Sequence, residues 1–130
     1  MLSRRSILVV AVTASTMVLT RALAASPQPF DAKVCADAQK VGKPILVEIH
    51  ASWCPICAVQ RPILGELTSD PKFKNLVYLT VDFDSQKDLV KRFGARMQST
   101  LIVFKGDKEE GRSVGDRDSK SIAALLGKSL

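Results

Sequence analysis

The stretch PILVEIHASWCPIC, Pro44 to Cys57, decides the fold. Its first half, Pro44 to His50, is nearly all apolar and rich in β-branched residues. Such a run reads as a central strand covered on both faces. Glu48 interrupts it, an acid where an apolar side chain belongs. The second half turns at Ala51, Ser52 and Trp53. Cys54 then falls where a helix N-cap would be, and Pro55 takes the first helical position, where its missing N–H costs nothing. Ile56, Val59, Ile63, Leu64 and Leu67 continue one apolar helical side. Pro62 lies inside that pattern and predicts a kink.

Two cysteines therefore stand at a strand–helix junction. A sulfur at the N-cap faces free N–H groups and the positive end of the helix dipole, which favours thiolate. Cys57 comes one turn later, so the two sulfurs can meet, and Cys57 is expected to be the more buried. Cys54 then serves as nucleophile and Cys57 as resolving thiol. The C-x-x-C spacing alone also permits a structural disulfide or a metal half-site with His50, the only histidine. A tetrahedral metal site needs four ligands, and this neighbourhood offers three. Three cysteines cannot all pair within one chain. Cys35 sits beside an apolar stripe and reads as a buried small hydrophobe.

Outward from this stretch, strands and helices alternate. Asp31 can cap a helix running to about Val41, closed by Gly42. Leu76 to Phe83 reads as a strand. Ser85 and Asp88 suggest a capping box for a helix over Leu89, Val90 and Phe93, closed by Gly94. Thr100 to Phe104 is a third strand, Gly106-Asp107 a turn, and Glu109 to Val114 an antiparallel edge strand. Asp118 or Ser119 caps a last helix with Ile122, Leu125 and Leu126 inward. The order α-β-α-β-α-β-β-α predicts an α/β domain, a mixed sheet with helices on both faces.

The 130 residues suit one domain. The formal charge of +6 overstates the folded part. Arg4, Arg5 and Arg21 lie in the first 24 positions, and without them 16 basic residues face 13 acidic ones, a net +3. No basic stripe with interleaved aromatics is present, which argues against nucleic acid as a partner. Arg4-Arg5, the apolar run Ile7 to Leu19, and Ala22-Leu23-Ala24 form an export signal with a cut after Ala24. The run is short against the roughly 20 apolar residues of a membrane span. S-R-R-S-I-L resembles a twin-arginine signal. The expected organisation is a signal over 1–24, a linker over 25–30 with two prolines, and a domain over 31–130.

The residues LVEIHASWCPICAVQRPILGEL resemble the active-site strand and helix of the thioredoxin superfamily. YLTVDFD resembles the next strand, FGARMQSTLIVFKG the segment that crosses to face the active site, and RSVGD the final strand and glycine. The resemblance runs from about Asp31 to Leu126. It implies a thioredoxin fold, with a central mixed β-sheet, and a redox-active disulfide between Cys54 and Cys57. It implies that Trp53 packs beside the pair and that Glu48 is the buried acid that helps take the proton of the resolving cysteine. Pro55, Ser99, Thr100 and Gly115 would line the substrate groove. One position departs from the family: Ser99 stands where a cis-proline is usual, and a cis bond before Ser costs roughly 3–4 kcal/mol, so a trans bond is expected. The lack of a clear first strand is closer to periplasmic thiol-reductase and interchange domains. The resemblance implies an exported thiol–disulfide oxidoreductase, a reductant or interchange protein rather than an oxidant. It would act as a monomer on protein disulfides, with a membrane or periplasmic thiol as electron donor and no cofactor. The alternatives are a copper, zinc or iron–sulfur module and a redox-inert binding module.

Overall fold

The computed structural model describes residues 25–130. The expected signal and its cut after Ala24 lie outside these residues. Segment 25–30, expected to be a linker, supplies a short strand, β1 (Gln28–Pro29). It pairs parallel with a strand over Val77–Asp82, and Phe30 extends the pairing by donating its N–H to the Thr80 carbonyl at 2.9 Å. β1 lies at the sheet edge, where a residue without an N–H is tolerated.

Beyond β1 come α1 (Ala32–Lys40), β2 (Pro44–His50) and α2 (Pro55–Thr68). A 3₁₀ turn over Pro71–Phe73 leads into β3 (Val77–Asp82) and α3 (Lys87–Arg92). Then follow β4 (Thr100–Lys105), β5 (Lys108–Val114) and α4 (Ser119–Gly127). The sheet order is β1-β3-β2-β4-β5. β2 runs parallel to β3 and antiparallel to β4, and β4 and β5 are antiparallel with a bulge at Val103/Phe104. The mixed sheet expected from the sequence is the one observed.

The alternation along β2 sends its side chains into two cores. Leu46 packs with Leu64, Phe73, Tyr78, Leu101, Ile122 and Leu126 beneath α2 and α4. Ile45, Val47 and Ile49 pack with Cys35, Ala38, Leu79, Val81 and Val90 beneath α1 and α3. Each fully buried Leu or Ile contributes about 1.5–3 kcal/mol, so β2, apolar on both sides, anchors the fold. Cys35 is the buried small side chain expected, and burial raises its thiol above the usual range, against a smaller opposing effect of Arg92.

The helix caps follow the sequence for α1, α2 and α4 and depart for α3. The Asp31 carboxylate accepts the N–H groups of Lys33 and Val34 at 2.8 and 3.0 Å. Asp118 accepts that of Ser121 at 2.8 Å. The Ser85/Asp88 box does not form. Gln86 is the N-cap of α3, without a side-chain capping bond. Asp82 instead accepts the N–H groups of Ser85 and Asp84, at 2.8 and 2.9 Å. It shapes the loop before the helix and outcompetes the cap. α2 continues through Pro62.

Candidate active site

The C-terminal end of β2 delivers the chain to the N-terminus of α2. Cys54 is the N-cap, with extended backbone at φ −83° and ψ 110°, and its sulfur accepts the N–H of Cys57 at 3.1 Å. Pro55 follows at the start of the helix. A sulfur bonded to an N–H at a helix N-terminus is placed to carry negative charge. Cys57 was expected to be the more buried of the pair. Both residues are 3% exposed, packed with Ala51, Ile56 and Phe83. The pair opens instead on a cavity of about 250 Å³ whose lining includes His50, Ala51, Cys54, Cys57 and Arg61.

Burial, and secondarily the bond shared with the Cys54 sulfur, pushes the Cys57 thiol from 9.0 to about 11. The backbone N–H groups of Ala51 and Ser99 act in the opposite direction. Cys35, Cys54 and Cys57 all carry free thiols. The pair is described here as the dithiol, the reduced state of the redox-active disulfide that the resemblance implies.

Glu48 is 1% exposed. Tyr78 donates its hydroxyl to Glu48 Oε2 at 2.7 Å. Arg61 Nε stands 3.4 Å from Oε1, which accepts no hydrogen bond. Burial, then the charge and hydrogen bond of Glu48, raises the Tyr78 hydroxyl well above its ordinary range, so it stays protonated. Among the described residues, no hydrogen bond joins Glu48 to either sulfur.

The other expected site residues divide. Trp53 is 57% exposed, and its Nε1 donates to Asp84 Oδ2 at 2.7 Å, so the indole is held over the surface beside Cys54. Ser99 is buried with a trans peptide bond and φ +59°, a left-handed conformation that costs a non-glycine residue roughly 1–2 kcal/mol. Its carbonyl accepts Gln60 Nε2 at 3.3 Å and the Gly115 N–H at 3.0 Å. Gly115 itself has φ +70°, and a Cβ there would stand 3.9 Å from Ile56 Cδ1 and 4.0 Å from Ser99 Oγ. Ser99 and Gly115 thus meet opposite the start of α2. Thr100 is 1% exposed, and its hydroxyl turns back to the Met97 carbonyl at 2.6 Å. It does not present its side chain to a groove, because it is buried at the start of β4. Among the described residues, no group of three or more His, Cys, Asp or Glu side chains is arranged to hold a metal ion, and His50 lines the cavity without completing such a set.

Sequence reasoning missed Gln60, Arg61, Tyr78 and Asp84. Arg61 follows Cys57 by one helical turn, which puts it on the same side of α2. That spacing was the available signal.

The thioredoxin family model matches residues 22–128. The thioredoxin of Chlamydia muridarum is 34% identical over 84 residues, covering 65% of this chain and 80% of that protein. The thioredoxin of Pseudomonas aeruginosa is 32% identical over 96 residues, covering 74% and 88%. The crystal structure of Trxlp from Edwardsiella tarda matches with a TM-score of 0.75 at 34% identity, over 78% of this chain and 98% of that one. The chain belongs to the thioredoxin family. Its W-C-P-I-C segment carries the cysteine pair of a thiol–disulfide oxidoreductase.

Proposed function

We propose that this protein is an exported thiol–disulfide oxidoreductase that reduces or interchanges protein disulfides in the periplasm. Cys54 attacks a substrate disulfide, a mixed disulfide forms, and Cys57 attacks the Cys54 sulfur to release the reduced substrate. The protein works as a monomer and is recharged by a membrane or periplasmic thiol donor. Export rests on Arg4-Arg5, the apolar run after them, and Ala22-Leu23-Ala24. Trp53, Pro55, Ser99 and Gly115 border the approach to Cys54.

The observation that carries the reading is the Cys54 sulfur at the head of α2, bonded to the Cys57 N–H and open to a cavity it shares with Cys57. Charge supports the reducing direction. A strong oxidant of this class owes its potential to a stabilised reduced form. Here Cys57 holds its proton up to about 11. That makes a thiolate-rich reduced form costly and favours passing electrons on. Equilibration with glutathione tests this. A potential near the thioredoxin end, about −270 mV, supports the reductant, and one near about −120 mV overturns it.

A further inference from the structure

Gln60 stands one helical turn beyond Cys57 on the same side of α2, and both are buried. Gln60 is fully covered, a polar side chain where helix packing favours an apolar one. Its Nε2 donates to two backbone carbonyls, Ser99 at 3.3 Å and Asp116 at 2.9 Å. The amide thus ties α2 to the loop before β4 and to the loop after β5. Its Oε1 is buried with no hydrogen-bond partner among the described residues, a cost that the two ties must offset. The Ser99 carbonyl is held a second time, by the Gly115 N–H at 3.0 Å. Ser99 has φ +59°, a conformation that serine does not favour. With its carbonyl held by two donors, the residue cannot relax to an ordinary φ without breaking them. In that conformation the Ser99 N–H reaches the Cys57 sulfur, where it opposes the effect of burial.

We propose that Gln60 is a positioning residue for the resolving step: through the Ser99 carbonyl it keeps the Ser99 N–H aimed at the Cys57 sulfur, which then attacks as a thiolate. This rests on the exchange reading above. A hydrogen bond to the sulfur favours its charged form over the protonated one. The Cys57 S–H bond breaks and its proton is released to solvent through the cavity that the pair shares. The sulfur's electron pair forms the Cys54–Cys57 bond, and the bond from Cys54 to the substrate sulfur breaks. The substrate leaves as a thiolate, reduced, while the pair is oxidised by two electrons. Around Cys57 the titratable or charged groups are Cys54 at the head of α2, His50 at the end of β2 and Arg61 on α2, all lining that cavity. The neighbours Ala51, Phe83 and Ser99 are uncharged. Gln60 is uncharged as well, so it acts on Cys57 through geometry and without titrating.

The test reads the thiol and the two chemical steps separately in the full chain. Gln60→Met keeps the length of the side chain and removes the donor. In a Cys35→Ala, Cys54→Ala background the lone Cys57 thiol should then titrate at higher pH than with Gln60, read by thiolate absorbance. Attack is the rate at which a Cys57→Ser chain forms a mixed disulfide with insulin. Resolution is the rate at which the same adduct decays when Cys57 is present. Gln60→Met should slow resolution near neutrality by roughly 3- to 10-fold, the weight of one hydrogen bond, with attack changed less than about twofold. Adding Ser99→Gly to Gln60→Met should recover part of both losses, because glycine holds a positive φ without the tie. Lost packing alone would not be repaired there. An unmoved Cys57 titration, resolution at the wild-type rate, equal slowing of attack and resolution, or no recovery with Ser99→Gly overturns the proposal. If Gln60→Met does not fold, Ser99→Pro carries the test. Proline has no N–H to offer, so Cys57 should again titrate higher, and an unchanged titration overturns the proposal. If Cys57→Ser forms no adduct at all, the exchange reading falls and the resolving role with it, whereas the titration of the lone Cys57 still decides whether Gln60 holds the Ser99 N–H on the sulfur.

Discussion

Cys57 holds its proton up to about 11, first because it is buried and second because of the bond with the Cys54 sulfur. The two causes can be separated. In a Cys35→Ala, Cys54→Ala variant, Cys57 is the only thiol. Losing Cys54 removes its hydrogen bond and its charge, both of which raise Cys57, and leaves burial intact. The remaining thiol should titrate between 9.0 and about 11, read by thiolate absorbance in the ultraviolet. The same shift is a stability statement. A folded value raised above the unfolded 9.0 contributes stability that is fully present below pH 9 and lost as pH rises towards 11. One unit is worth about 1.36 kcal/mol; because part of the shift comes from the Cys54 partner and solvent screens the rest, the loss is about 1–2 kcal/mol, a noticeable share of the ~5–15 kcal/mol of a typical domain. The urea midpoint of the reduced protein should therefore fall between pH 9 and 11. Cys57→Ala should fall less, keeping only the alkaline losses due to Cys35 and Tyr78, which are raised as well. A lone Cys57 that titrates at or below 9.0, or identical pH dependence with and without Cys57, would refute the assignment to burial.

Three further outcomes follow from single contacts. Gly115→Ala should lower stability by roughly 1–2 kcal/mol for the left-handed backbone alone, since the new Cβ meets Ile56 and Ser99 at ordinary contact distances; thermal unfolding measures it. Asp84→Ala releases the Trp53 indole, and because Trp53 is the only tryptophan, the change reads directly as altered emission together with slower reduction of a protein disulfide. Asp31→Ala removes the α1 cap and should cost about 1 kcal/mol, visible in urea unfolding, while the Cys57 titration stays unchanged.

The sequence made the frame of the site legible because local rules govern it. Pro55 after Cys54 marks a helix start, and the observed N-cap is Cys54. An acid inside Ile45 to Ile49 was either buried or turned to solvent, and Glu48 is buried. What surrounds Glu48 was not legible. Its bond to Tyr78 depends on the β2/β3 register, in which Leu46 faces Tyr78 and Glu48 faces Thr80, a pairing separated by about thirty residues of chain. Gln60 is likewise pinned to the carbonyls of Ser99 and Asp116, positions that only the closed fold brings near α2. The trans bond before Ser99 was expected from the cost of the alternative. Its positive φ was not, because serine carries no local signal for it.

The central claim is that Cys54 is the nucleophile and Cys57 the group that resolves it. Reduced Cys57→Ser protein mixed with insulin, followed by peptide mass mapping, tests it most directly. The account predicts a stable mixed disulfide on Cys54, none on Cys35, and rapid turnover without accumulation in the wild type. An adduct on Cys35, or no adduct on Cys54 while the wild type reduces insulin, contradicts it.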